Sequence, residues 1–428
     1  MSEATGTGLQ ERLSRLRRLG LRKDAAHLQL KKSPPAKKRG PGIKEVVDGQ
    51  MCSTPLGTCF VAKETWALSH CHGDLPLASL LQVPPVTLAR LAGLPEGETL
   101  DLRQAVFFDV ETLGLSGGTG TYVFLTGVGF FEGDSFCLQQ FFMQDVAQEG
   151  ACLYAVGELL DRFNAVVSFN GRSFDLPLLN TRFTLARQPR RMVRAPHLDL
   201  LIPARRLWRR RLASCALGSL EQEVLGVCRS EAEVPGWLVP RLYFDYLQTS
   251  DATELAGVFY HNLMDILSLV TLAARLGTIF DDPQATESLD GVDLFSLGLW
   301  YESLGMTAEC EVAYRAALSR PLPGQVEGAA WQHLSLLLKR QDRRQDAAAI
   351  WGKVAENGEK WGIFAHVELA KHYEWYTRDL SAAALVTRQA MGLLESALPD
   401  QRTRETLNQL THRLRRLERK MAQARSKT

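Results

Sequence analysis

The eight cysteines include no CxxC pair and no regular spacing, which argues against a disulfide framework and a paired-ligand zinc module. Free thiols in a reducing compartment are the expectation, so the protein is read as cytoplasmic. Long apolar runs are also scarce. The longest nearly apolar stretch, Tyr122 to Phe131, is about ten residues, where a spanning helix needs about twenty. The N-terminus is basic and leucine-spaced, without the apolar core of a secretory signal, and no membrane partner is expected. The glycine- and threonine-rich stretch Leu113–Thr121 lacks the lysine of a P-loop and leads into no helical pattern, so it reads as a turn. Cys52, Cys59, His70, Cys71 and His72 cluster in sequence, but their gaps match no usual zinc-ligand spacing.

Net charge is small, +2 over 428 residues, but unevenly placed. Residues 1–44 hold 12 Lys/Arg against three acids, and residues 182–211 hold ten Arg against Asp199 alone. Both patches suit a polyanion, although a charge run is also a common solvated face. Leu9, Leu13, Leu16 and Leu19 recur at helical spacing among arginines. That predicts a basic amphipathic helix for nucleic acid, a membrane surface, a partner or the protein's own body. Residues 31–42 form a Pro/Gly/Lys linker. With 45% apolar and 23% charged residues, the chain has the composition of a soluble globular protein and the length for two or three domains.

The chemistry centres on Phe107-Phe108-Asp109-Val110-Glu111-Thr112. The apolar run Ala105–Phe108 predicts a buried strand, and alternation puts Asp109 and Glu111 on one face, about 7 Å apart. Two carboxylates so placed repel unless a cation or proton lies between them. Tyr122–Gly133 and Ser135–Met143 read as an antiparallel pair, 148–163 as a helix and Ala165–Phe169 as a strand. That strand runs into Asn170-Gly171-Arg172-Ser173-Phe174-Asp175, with Asp175 placed to begin a helix. Helix capping would account for Asp175, but not for Asn170 and Phe174 alongside it. His197–Leu200 suggests another strand, and Asp199 is a weaker candidate because strand-terminal acids commonly meet only water. An arginine-rich helix is expected over 205–211 and a further one over 217–227. In the long helical pattern 251–276, His261 and Asp265 lie one turn apart on one face.

Three triplets in the last third, Cys310/Tyr314/Ala317, Ala347/Trp351/Val354 and Ala383/Thr387/Ala390, recur at intervals of 37 and 36 residues. Small residues at helix crossings with bulky ones four later match tetratricopeptide-like helical hairpins, with ordinary hairpins as the alternative.

In this order, Asp-x-Glu, Asn-x3-Phe-Asp and His-x3-Asp resemble the DEDD (DnaQ-like) 3′–5′ exonuclease superfamily. The Asn-Gly-x-x-Phe-Asp-x-Pro-x-Leu form, the β region ahead and the repeats behind are similar to the YprB-type bacterial exonucleases, the group containing mitomycin repair factor B. The resemblance spans roughly residues 45–395. It implies an α/β ribonuclease H-like domain, a mixed sheet with flanking helices, followed by an all-α tetratricopeptide-like repeat domain. The expected boundaries are 1–44 basic helix and linker, 45–100 small β subdomain, 101–280 exonuclease domain, 290–395 repeats and 396–428 basic tail.

The implied activity is phosphodiester hydrolysis with two Mg²⁺ or Mn²⁺ ions held by Asp109, Glu111, Asp175 and Asp265. An all-oxygen set suits such hard cations. His261 would orient or deprotonate the attacking water. It lies four residues before Asp265 where five is usual for histidine in this superfamily, and Tyr260 takes the five-residue position as reserve base. Asn170, Arg182, Arg187, Arg205 and Arg206 are the expected substrate contacts. DNA, in a repair setting, is the favoured substrate, with RNA as the rival and a non-catalytic scaffold as the reading from another class. The repeats suggest a protein partner, for example a helicase.

Overall fold

The structure, a computed structural model, describes residues 40–114, 120–188, 195–230, 233–282, 289–356, 362–395 and 401–425. The expected N-terminal basic helix, Arg190, Arg191 and Arg194 lie outside the described residues, as does most of the predicted turn before Thr121. The chain divides into two compact units, residues through Arg205 with 214–282, and 206–213 with the residues after 282.

The first unit is built on strands β1 (Gln50–Thr54), β2 (Gly57–Ala67), β3 (Cys71–His72), β4 (Leu75–Pro76), β5 (Ala105–Thr112), β6 (Val123–Glu132), β7 (Ser135–Phe142), β8 (Ala165–Ser168) and β9 (His197–Asp199). Seven make one mixed sheet in the order β1-β2-β7-β6-β5-β8-β9, while β3 and β4 pair separately. β5, β8 and β9 are parallel, and the other neighbours are antiparallel. β1 and β2, expected in a small β subdomain over 45–100, lie in this same sheet, β2 pairing along β7 from Phe60↔Phe142 to Ala67↔Ser135.

Its helices of eight or more residues are α1 (Pro85–Ala92), α2 (Glu149–Leu160), α3 (Asp175–Leu185), α4 (Leu201–Trp208), α5 (Val239–Thr249) and α6 (Leu255–Asp281), α4 straddling the division between units. The helix expected over 205–211 thus ends at Trp208, and the one expected over 217–227 is a short turn, Leu217–Leu220, followed by a π turn, Glu221–Leu225. By length and composition α6 could cross a membrane, but 78% of its apolar window is buried inside the protein. It is a core helix, its apolar sequence interrupted by His261, Asn262, Asp265 and Arg275.

Alternation along β5 explains both faces of the sheet. Val106, Phe108 and Val110 enter a large core, while Phe107 on the other face packs edge-on against Phe131 and Phe136 at 5.8 and 5.6 Å. α6 covers that second face. Gly127 and Gly129 of β6, opposite Asp109 and Phe107, make the approach possible. A Cβ at Gly127 would meet Asn262 Oδ1 at 2.3 Å, and one at Gly129 would meet Ile266 Cγ2 at 2.6 Å. Two glycines two residues apart on a strand therefore admit two residues one turn apart on a helix.

The second unit is helical: α7 (Gly291–Ser303), α8 (Thr307–Leu318), α9 (Gly324–Arg340), α10 (Arg344–Glu356), α11 (Ile363–His372), α12 (Leu380–Glu395) and α13 (Gln401–Arg425). The three repeated triplets fall on α8, α10 and α12, and all nine of their residues are buried. Sequence periodicity thus marks equivalent inward positions on alternate helices.

Candidate active site

β5 carries Asp109 and Glu111 within the strand, which continues to Thr112 with a register shift against β6 between Glu111 and Thr112. α3 begins at Asp175, whose predecessor Phe174 makes no side-chain cap. The turn ahead of α3 is clamped from beneath. Asp199, on β9, accepts hydrogen bonds from the backbone N–H groups of Asn170 (2.7 Å), Arg172 (3.1 Å) and Leu201 (3.2 Å). The expectation that Asp199 meets only water is corrected: it is buried and fixes the Asn170–Arg172 turn. Asn170 itself has φ 63°, a left-handed conformation that asparagine tolerates better than most residues.

α6 brings the remaining groups. His261 Nε2 lies 3.5 Å from Asp265 Oδ2, the i,i+4 contact expected from sequence. One residue after His261, Asn262 points at the strand, its Nδ2 donating to Asp109 Oδ2 at 2.8 Å. Asn262 is held in turn by Gln140 of β7, whose Nε2 donates to Asn262 Oδ1 and to the Phe259 carbonyl, both at 2.9 Å. Gln140 and Asn262 are fully buried, so Asp109 is anchored through a satisfied polar chain.

The four acids act on one another. Burial, followed by the charges of Asp265, Glu111 and Asp175, holds the Asp109 carboxyl well above its usual range. Burial, then Asp265 and Asp175, does the same to Glu111, against the pull of Arg229. Asp175 is pushed up to about 7 by burial and by Asp199, with Asp265 adding to the shift. Burial also raises Asp265, opposed by His261 and Arg229.

Arg229, unnoticed in the sequence, is the cation beside them. Its guanidinium bonds Asp265, grips Glu221 at 2.5 and 2.6 Å, reaches Glu233 Oε1 at 2.9 Å and donates to His261 Nδ1 at 3.1 Å. Guanidinium is donor-only, so His261 Nδ1 accepts. Glu221 also accepts from Ser268 Oγ at 2.5 Å, which lies 2.7 Å from His72 Nε2, so Arg229 is rooted in a buried network. A cavity of about 340 Å³ opens here, lined by Ser219, Glu221, Gln222, Arg229 and Glu233 among others.

Tyr260 lies off this cluster: its hydroxyl accepts from the Ser230 N–H at 3.1 Å. Arg182 is a correction. It pairs with Glu149 at 2.5 and 2.7 Å, stacks over the Tyr122 ring at 4.1 Å and is buried, so it braces α3 against α2 and offers no surface charge. Arg187, Arg205 and Arg206 are exposed, Arg206 lying 5.4 Å from the Trp300 ring centre. Phe174 and Trp237 are also exposed, at 59% and 73%. Trp237 follows Gly236, where a Cβ would stand 3.7 Å from His261 Nε2.

Four carboxylates supply the all-oxygen donors that a hard divalent ion takes, and their mutual repulsion is what such an ion relieves. As placed, no group of three or more His, Cys, Asp or Glu side chains among the described residues stands at metal-coordinating spacing. The fit therefore rests on donor chemistry and charge. Asp109, Glu111, Asp175 and Asp265 are the residues that could hold such an ion.

A mixed sheet with these acids at β5, α3 and α6 is an RNase H-like unit, and residues 106–277 match the family described as RNase_H superfamily, whose nucleases generally use divalent metals. The chain belongs more narrowly to the YprB family. It is 30% identical over 366 residues to YprB of Bacillus subtilis (strain 168), covering 84% of this chain and 86% of that protein. Among solved structures, the family B DNA polymerase from the hyperthermophilic archaeon Pyrobaculum calidifontis aligns with 62% of this chain at 16% identity and a TM-score of 0.35. The chain spans 35% of the polymerase's length.

Proposed function

We propose that the protein is a metal-dependent 3′–5′ exonuclease acting on unpaired nucleic-acid ends, DNA in preference to RNA, in cytoplasmic DNA repair. The observation that carries this reading is that Asp109 and Glu111 on β5, Asp175 on α3 and Asp265 on α6 lie close enough for charge to act between them, each carboxyl being raised. Strongly perturbed acids gathered in one place are the signature of a working site more often than of a structural one. Two Mg²⁺ or Mn²⁺ ions held by Asp109, Glu111, Asp175 and Asp265 would supply Lewis acidity to both ends of an in-line displacement.

The protein's own side chains divide the remaining work. Asn262, backed by Gln140, fixes the Asp109 carboxylate. His261, set among Asp265, Glu233 and Arg229, orients the attacking water through Nε2–H, and takes its proton once Nδ1 is released from Arg229. Phe174 and Trp237 offer exposed ring faces on which the last bases stack, and Arg187 and Arg205 meet backbone phosphates. The helical unit serves as a tetratricopeptide-like platform for a protein partner, a helicase being one candidate.

The test is digestion of end-labelled single- and double-stranded DNA and RNA with Mg²⁺ or Mn²⁺. The label position reports polarity. Asp109→Ala and Asp175→Ala should each abolish degradation with the fold intact. Digestion that survives in both variants refutes the assignment, and a preference for RNA overturns the choice of DNA.

A further inference from the structure

The helical unit carries a second feature that the carboxylate cluster does not use. Between α11 and α12 the chain makes a π turn, Tyr373–Thr377, that turns Glu374 inward and leaves Trp375 and Tyr376 outward, 61% and 51% exposed. Glu374 is buried and accepts from three cations of α13: Arg413 (2.7 Å), Arg416 (2.8 and 3.0 Å) and Lys420 (2.9 Å). One carboxylate fixes three positive groups, so the spot keeps a surplus of positive charge.

The same cations lie against the indole. Lys420 Nζ is 4.4 Å and Arg416 Cζ 5.6 Å from the Trp375 ring centre, and Arg344 Cζ is 5.5 Å from that of Tyr376. Arg344 also pairs with the exposed Asp342 at 2.9 Å. α13 as a whole holds eight Lys/Arg against two Glu, while Leu410 and Leu417 bury its inner face.

Large aromatic rings are costly to expose, and here two in succession lie half or more exposed beside fixed cations, Tyr376 also lying 5.1 Å from the His372 ring. Flexible single strands are bound by this combination, bases stacking on the rings and phosphates meeting the cations. An acidic protein would satisfy the charge but not call for two exposed aromatic rings. We propose that the Trp375–Tyr376 face, flanked by Arg344, Arg416 and Lys420, is a binding site for single-stranded nucleic acid. It is separate in composition from the carboxylate cluster and needs no metal.

The test is fluorescence anisotropy of a labelled oligothymidylate with the full-length protein in EDTA, beside dinucleotide hydrolysis with Mn²⁺. Trp375→Ala/Tyr376→Ala should weaken oligothymidylate binding by at least about tenfold, since each stacked base contributes on the order of 1–3 kcal/mol. Dinucleotide hydrolysis should be unchanged, which separates this proposal from the catalytic one. Trp375→Phe guards against misfolding: it should retain most affinity yet lose the share of intrinsic-fluorescence quenching that stacking on the Trp375 indole produces, leaving only that of Trp237. Wild-type affinity in the double alanine variant overturns the proposal and leaves the face to a protein partner. Quenching as large in Trp375→Phe as in wild type overturns it as well.

Discussion

In the RNase H-like unit Asp109, Glu111, Asp175 and Asp265 are brought together with Arg229 as their cationic neighbour, and all four carboxyls are raised. In the helical unit the buried Glu374 and the half-buried Glu302 and Glu368 are surrounded. Glu302 accepts from Arg340, Tyr314 and His333, Glu368 from Lys339 and Lys371, and Glu374 from Arg413, Arg416 and Lys420. Burial pushes each upward, but these hydrogen bonds outweigh it and all three end below the usual carboxylate range. Asp293, held by Arg211 at 2.7 Å, is intermediate, burial still pushing it up to about 6. Compensated acids serve packing, because their charge is satisfied within the fold. Acids that face one another store repulsion that only a ligand or a proton relieves.

Removing charge should therefore act with opposite sign in the two places. Glu374→Gln strands three cations beside a neutral amide and should cost about 3 kcal/mol, the scale for breaking a buried ion pair from one side. The loss would be read as faster hydrogen exchange in α12 and α13. Asp109→Asn removes a repelled charge while leaving Asn262 an oxygen to bond, and should raise the protection of β5 while eliminating activity. Equal destabilisation by both substitutions would break the distinction.

The next effect concerns which side chain serves the acids. His261→Ala should lower the hydrolysis rate by about a hundredfold or more, the usual contribution of a positioned acid–base group. Tyr260→Phe should change it little, because its hydroxyl only accepts from the Ser230 N–H on the exposed side. Single-turnover rates on one substrate compare the two, and the reverse order would transfer the base role to Tyr260.

What the sequence revealed and what it concealed follow from chain distance. β5, β6, β7 and β8 were legible because their apolar runs and turns are local, and the His261–Asp265 pair because helical spacing is fixed. That Asp109, Asp175 and Asp265 would meet came from motif order, since no local pattern joins a strand to a helix 150 residues on. Arg229 sits in irregular chain with no period to betray it. Asn262 could have been suspected from Gly127 and Gly129, whose spacing on β6 asks for a close neighbour, but the neighbour's identity was not there to read. Arg182 misled because an arginine count says nothing about burial, and Glu149 lies 33 residues away.

A further effect, reaching its full size only at the acid end of the range, separates the units by their response to pH. The RNase H-like unit buries His72 and His197, and burial pushes both down to about 4; His197 is bound to Ser168 Oγ at 2.8 Å. Unfolded histidine takes up a proton below about 6.5, whereas folded His197 resists until about 4. The unfolded state thus binds more protons in that window, so the contribution of His197 to stability is complete above pH 6.5 and lost as pH falls. The raised carboxyls act oppositely, because protonation relieves them, so the wild-type slope alone mixes two signs. His197→Gln removes only the histidine part. Between pH 7 and 4.5, β8 and β9 amides should lose less exchange protection in the variant than in wild type, by up to about 3 kcal/mol. α12 and α13 amides should respond alike in both proteins. An identical pH response of β8 and β9 would show that His197 is protonated in the fold and that its bond to Ser168 does not depend on the neutral ring.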